Sequence, residues 1–267
     1  MRRLQATLLQ GIEEFVLKVR KKFSFSSRWK NSALRRRYRR KGVIVPPVGI
    51  IKLVTGNYDV EGFIAGGQFT AEHIRNTLKQ SQTALADQRS ILDFGCGCGR
   101  VLSQLKYPQT TELHGCDYNP KLIKWCNKLV PSAKLAVNHL APPLPYDSGK
   151  FDFIYAISTF THWSVALQKQ WIAELTRVLS PASLLLITTH GESYRNEFLK
   201  AEQRDSFDKG EPVVRRPGSS GSNRCAAFQP LSFVKNELLK DYLKLDVFLP
   251  GGVSGNYGQD TYLVRKI

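Results

Sequence analysis

The amino-acid sequence predicts an α/β protein built on a doubly wound, mostly parallel sheet with helices on both faces. Three observations carry that expectation. Short apolar runs alternate with segments of helical periodicity from residue 91 onward. The first run leads into a glycine-rich stretch at 91–102, ILDFGCGCGRVL. An acid, Asp117, closes the second run 24 residues beyond Asp93.

Residues 1–23 read as an amphipathic helix, with Leu4, Leu8, Ile12, Phe15 and Val19 on one face. Glu13 and Glu14 interrupt its apolar region, which speaks against a secretory signal and leaves an organelle transit peptide open. A basic, aromatic stretch with no core face continues to Lys41. Pro46-Pro47 then breaks any helix. Thr70 is expected to cap a helix through Gln80, with Ile74 and Leu78 inward. Strand one covers 91–94, and Val101, Leu102 and Leu105 start a helix after the glycine loop. Strand two covers 113–119. Pro120 opens a helix with Leu122, Ile123, Cys126, Leu129 and Val130 inside.

Strands three and four follow at 133–140 and 151–158, separated by a loop. Ser164 caps a helix that buries Val165, Trp171, Ile172, Leu175 and Val178, and Ser180-Pro181 ends it. Strand five, around 183–189, delivers His190 to the edge where Ser158–His162 also lie. Residues 191–230 read as a polar insertion with a flexible core, RRPGSSGSNR. Ser232 is expected to cap a helix through Tyr242. Two antiparallel strands joined by a glycine-rich loop complete the chain. The domains expected are a basic arm, 1–41, and a main domain, 42–267, whose parts include a lead-in over 42–90 and an insertion over 191–230.

The chain has 267 residues, 42% of them hydrophobic, enough for one large domain with an appendage. Its net charge of +17 is unevenly placed: residues 1–41 hold 14 Lys/Arg and two acids, the remainder 25 and 20. The five cysteines lack zinc-ligand spacing, and their odd number argues against a complete disulfide framework. They read as reduced thiols in a cytoplasmic protein, and no metal site is expected. No run is long enough to cross a membrane. The arm reads either as a solvated helix and linker or as a surface for an anionic membrane or for nucleic-acid phosphate. The membrane ranks ahead of RNA because the basic run follows an amphipathic helix.

A strand, glycine loop and helix start form a place where backbone approaches a ligand closely. The dinucleotide fingerprint G-x-G-x-x-G is absent: its third glycine would fall on Arg100 or Leu102. A Walker loop is absent as well. Asp93 would repel a pyrophosphate and welcome an amine. A turn with no ligand is the alternative. DFGCGCG, Asp117 and FDFIYAIS followed by FTHW together resemble the class I S-adenosylmethionine (SAM) methyltransferases. The resemblance runs from about residue 42 to the end and is weakest over 191–230.

That resemblance implies a Rossmann-like seven-stranded sheet of order 3-2-1-4-5-7-6 with the last strand antiparallel, and SAM as cofactor with S-adenosylhomocysteine as product. It implies a lead-in that covers the cofactor. Asp93 would receive the SAM ammonium, and Gly95 and Gly97 would let backbone approach the methionine moiety. Asp117 would take the ribose hydroxyls. Tyr118 would lie against adenine, with Asn138 and His139 near its edge. Phe94 and Ser158, at the ends of strands one and four, complete the cofactor set.

His162 and His190 are the candidate general bases, with structural histidines as the alternative. The N/D-P-P-Y/F pattern of many base-amine methylating enzymes is missing, since strand four ends AISTF. O-methylation of a small molecule, sugar or lipid-linked glycan is the first expectation, by resemblance to similar bacterial-type sequences. RNA methylation using the arm is the second, and a non-catalytic SAM-binding protein recruited to a membrane or partner is the third.

Overall fold

The structure is a computed structural model that describes residues 31–40, 42–239, 242–251 and 258–267. The amphipathic helix expected over 1–23 lies outside the described residues. Two compact units divide the chain, Met1–Phe63 and Ile64–Ile267.

In the first unit, α1 covers 31–40, and Gly42 follows it with φ +75°, a conformation in which glycine avoids a Cβ clash. The Gly42 amide donates to the Arg39 carbonyl at 3.0 Å. Pro47 precedes α2 (Val48–Thr55), which ends at Gly56, again left-handed. The next helix, α3 (Val60–Gln80), runs across the division between units. It begins ten residues before the expected cap. Asp59 caps it, with Oδ1 accepting from the Gly62 amide at 3.0 Å. Thr70 sits mid-helix, its hydroxyl donating to the Gly66 carbonyl at 2.7 Å.

The second unit holds a seven-stranded sheet. Its strands are β1 (Ser90–Phe94), β2 (Glu112–Asp117), β3 (Lys134–Val137), β4 (Phe151–Ala156), β5 (Leu179–Thr189), β8 (Leu243–Leu249) and β9 (Asp260–Lys266). Their order is β3-β2-β1-β4-β5-β9-β8, with β6 (Val213–Arg215) and β7 (Ala226–Phe228) paired in a separate small sheet. With that small sheet left out of the count, the order is 3-2-1-4-5-7-6. The first five strands are parallel, and β9 runs antiparallel to both its neighbours.

Alternation along β1 and β4 builds a core on each face. Leu92, Phe94, Ile154 and Ala156 pack with Trp163, Trp171 and Leu175, the last two from α5 (Val165–Val178). Ile91, Phe153 and Tyr155 pack with Ile74 and Leu78 of α3 and with Cys126 of α4 (Pro120–Leu129). Both caps expected here form: Asn119 Oδ1 accepts from the Lys121 amide and Ser164 Oγ from that of Leu167.

Three local expectations are corrected. The segment after the glycine loop buries Val101, Leu102 and Leu105 but is a series of turns. Only the Gly99–Ser103 and Val101–Leu105 pairs make i to i+4 bonds there, interleaved with tighter turns. Ser232 is not a cap: the helix starts at Leu231 after Pro230 (α8, Leu231–Phe233) and passes into a π turn, Val234–Leu238. The insertion over 191–230 is ordered. It contains α6 (Glu192–Phe198), α7 (Ala201–Asp208), β6 and β7, closed around Tyr194, Leu199, Phe207 and Phe228.

Candidate cofactor and acceptor site

The carboxyl ends of β1, β2, β4 and β5 bring the candidate residues to one sheet edge. At the end of β1, Asp93 is 4% exposed, and its Oδ2 has no partner among the described residues. Burial pushes its pKa up to about 8, against the pull of the nearby Tyr155 hydroxyl and the Arg100 guanidinium. Burial makes the charged form of this carboxyl costly, and a positively charged ligand group beside Oδ2 would relieve it.

The loop after β1 carries positive φ at Gly95, Gly97 and Gly99. At Gly95 the space of a Cβ is already filled: it would lie 2.1 Å from Thr159 Cγ2. Asp117, at the tip of β2, anchors this loop. Its Oδ2 accepts from the Gly97 amide at 3.0 Å and its Oδ1 from the Asn119 amide at 2.8 Å. Burial raises its pKa while those two amides oppose the rise. Each oxygen keeps a second lone-pair site, so two ribose hydroxyls would still find acceptors.

Beside Asp117, Tyr118 is 44% exposed. Asn138 Oδ1 is buried without a partner among the described residues, an acceptor available to a ligand N–H. His139 is exposed. Gly221 of the insertion comes up against Leu140 and the Tyr118 ring at this corner.

Beyond β4, Ser158 holds φ +58°, a strained conformation for a residue with a side chain. Its amide donates to Thr188 Oγ1 at 2.8 Å and its hydroxyl to Gln259 Oε1 at 3.0 Å. His162 and His190 are brought together, with ring centroids 6.5 Å apart. Nδ1 of His162 lies 2.8 Å from the Cys225 carbonyl and Nδ1 of His190 lies 3.1 Å from that of Ala227. A carbonyl only accepts, so both Nδ1 atoms carry the proton and both Nε2 atoms are left as bases. Burial lowers both pKa values, that of His190 to about 3 with His162 adding to the effect. His190 also stacks on Tyr194, centroids 4.2 Å apart.

Several contributors carry no signal in the linear sequence. The Cys225 and Ala227 carbonyls act through backbone. Gln259 joins the site only through its contact with Ser158. Asp260 is fully buried at the start of β9, and burial pushes its pKa up to about 6. A Cβ at Gly191 would meet its Oδ2 at 1.8 Å, so the residue after His190 has to be glycine. All five cysteines are buried free thiols. No group of three or more metal-ligating side chains occurs among the described residues. No helix among them is long and apolar enough to cross a membrane.

A sheet of this order, with a glycine loop after β1 and an acid at the tip of β2, defines the class I SAM-dependent methyltransferase fold. Residues 92–187 match the family described as methyltransferase domain. The fold is shared with a SAM-dependent methyltransferase from Methanosarcina mazei: TM-score 0.51 and 21% identity, covering 73% of this chain and 97% of that one. Methyltransferase-like protein 27 of Homo sapiens is 30% identical over 112 residues, 42% of this chain and 44% of that protein. EEF1A lysine methyltransferase 2 of Mus musculus is 29% identical over 138 residues, 45% of this chain and 51% of that protein. The chain thus spans about half the length of these curated relatives.

Proposed function

We propose that the protein transfers a methyl group from SAM to a hydroxyl of a small molecule, sugar or lipid-linked glycan. The observation that carries the acceptor reading is the His162 imidazole, oriented by the Cys225 carbonyl with Nε2 left as base, beside a His190 imidazole oriented in the same way. A hydroxyl must shed its proton on methylation, and such a base serves that need. When bound, the cofactor supplies an electrophilic methyl group on a sulfonium that carries its own leaving group. The chain's residues bind and align. Asp93 takes the ammonium and Asp117 the ribose hydroxyls, while Gly97 gives the loop backbone its close approach. Tyr118, Asn138 and His139 frame the adenine, and Phe94 and Ser158 shape the strand ends on either side.

His162 Nε2 takes the acceptor proton. The strong depression at His190 keeps that imidazole neutral, so it serves as a hydrogen-bond acceptor that orients the substrate. Isothermal titration with SAM on wild type and Asp117→Ala tests the cofactor. Single-turnover methyl transfer with His162→Gln and His190→Gln tests the bases, and unchanged rates in both would remove them.

A second reading rests on α1, where Arg36, Arg37, Arg39 and Arg40 are all exposed. Clustered arginines attract phosphate, whether on an anionic membrane surface or on RNA. Salt-sensitive RNA binding that disappears on deleting residues 1–41 would move the acceptor to RNA. Binding to anionic but not neutral vesicles would make the arm a membrane anchor.

A further inference from the structure

Residues 31–58 hold seven Lys/Arg and no Asp or Glu. On α1, Arg36, Arg37, Arg39 and Arg40 are exposed, and by helical periodicity they share one half of the helix surface. The other half is turned inward: Leu34 and Tyr38 are half-buried, and the Arg35 guanidinium donates to the Val45 carbonyl at 3.3 Å. The next acids along the chain are Asp59, which caps α3, and Glu61, which lines a hollow with Leu34, Arg37 and Tyr38. The side chains of Arg36, Arg39 and Arg40 make no ion pair or hydrogen bond among the described residues.

The basic helix ends in an apolar tip. Two backbone bonds close the turn after it, from the Gly42 amide to the Arg39 carbonyl and from the Val43 amide to the Tyr38 carbonyl, both at 3.0 Å. In this turn type the apolar residue after the glycine commonly packs back onto the helix. Here Val43 is 38% and Ile44 52% exposed, directly beyond the last arginines. Leu53 and Tyr58 are exposed as well, so four of the ten large apolar side chains exposed among the described residues fall within 43–58. That concentration departs from the single, scattered apolar side chains of an ordinary surface. Lys52 Nζ lies 4.7 Å from the centre of the Tyr58 ring and donates to its hydroxyl at 2.9 Å. An ammonium beside an amphipathic ring suits a boundary between water and lipid.

We infer that this segment is a membrane-docking surface: the α1 arginines engage anionic lipid headgroups, and Val43 and Ile44 enter the acyl boundary beside them. The inference rests on the arginine-based second reading above and deepens it, naming the lipid surface and the side chains that enter it. The apolar tip favours lipid over RNA. A phosphate backbone attracts guanidinium groups but gives aliphatic side chains no apolar phase, whereas an anionic bilayer surface gives both.

The test is sedimentation of the full chain with vesicles of phosphatidylcholine alone and of phosphatidylcholine with phosphatidylserine, beside titration with a single-stranded RNA oligonucleotide. The variants are the triple Arg36→Gln, Arg39→Gln, Arg40→Gln, the double Val43→Ser, Ile44→Ser, and the single Ile44→Trp, each checked for folding by thermal unfolding. Wild type is expected to bind only the vesicles that contain phosphatidylserine. The triple variant is expected to bind them about 100-fold more weakly. The serine variant keeps every charge and is expected to bind about 10-fold more weakly. Ile44→Trp is expected to bind more tightly, because indole favours the membrane interface. A serine variant that binds as tightly as wild type overturns the inference and leaves a charge-only membrane contact standing. If the serine variant does not fold, Ile44→Trp decides: binding no tighter than wild type overturns the inference. Wild type that binds neither vesicle overturns the inference and the membrane half of the second reading together. Salt-sensitive RNA binding by wild type without vesicle binding overturns it in favour of RNA.

Discussion

His162 and His190 come from two different strand ends, yet their imidazoles hang from one strand. Their Nδ1 atoms meet the carbonyls of Cys225 and Ala227, two residues apart at β7, and their rings stand at 86° to each other. Carbonyls two residues apart in a strand point the same way. Both imidazoles therefore share one tautomer and present Nε2 away from β7. Nitrogen-15 spectra of the side chains are expected to show the Nδ1–H form for both. The His190 signals should not titrate between pH 5 and 8, because its pKa lies near 3.

Replacing His162 by Gln is expected to slow single-turnover methyl transfer by about 100-fold or more, the lower range for loss of a general base. His190→Gln is expected to act mainly on acceptor KM. Measuring the rate across pH 6 to 9 separates the two, since only loss of the base should flatten the low-pH limb.

Asp93 makes the ligand-free protein pH-sensitive. Burial raises its folded pKa to about 8, well above the ordinary aspartate value of 3.8. The folded state therefore holds an extra proton between those values, and stability falls as pH rises from about 4 to about 8. The slope from one such group is about 1.4 kcal/mol per pH unit. Thermal unfolding from pH 5 to 8 is expected to show this decline in wild type and to lose that part of it in Asp93→Asn. SAM binding is expected to release a proton near neutral pH, readable as a buffer-dependent heat.

Gly95→Ala combines a left-handed backbone with the Thr159 contact. The conformation alone costs about 1–2 kcal/mol, and forcing a methyl group into occupied space adds about 1–3 kcal/mol. Thr159→Ala is expected to recover the second part but not the first. Urea unfolding of the two single variants and the double variant separates them.

Asp117→Ala is expected to abolish measurable SAM binding and also to loosen the glycine loop, because it removes the acceptor of the Gly97 and Asn119 amides. Asp117→Asn keeps oxygen for one amide only. It should bind SAM with intermediate affinity, and the order of the three affinities by titration checks the assignment.

The parallel sheet and the glycine loop after its first strand are legible in the sequence because their signals are local. The glycines of 95–99, Asp117 at a strand tip and Pro120 opening a helix each act within a few residues of where they stand. The start of α3 is hidden because Asp59 and Gly62 act as a cap through a local side-chain contact, and Gly66-Gly67, poor helix formers, lie inside the helix where it meets Arg100. The order of 191–230 is hidden for a different reason. Its core joins Tyr194, Leu199, Phe207 and Phe228, residues with no common period, so neither helix nor strand spacing reveals it.

The small sheet has a consequence for how such a protein diversifies. Residues 191–230 carry their own apolar centre, come up against the Tyr118 ring, and hold both imidazoles through main-chain oxygens. Main-chain oxygens are indifferent to side-chain identity. The side chains of this cassette can change while the orientation of the two imidazoles is kept by the main chain.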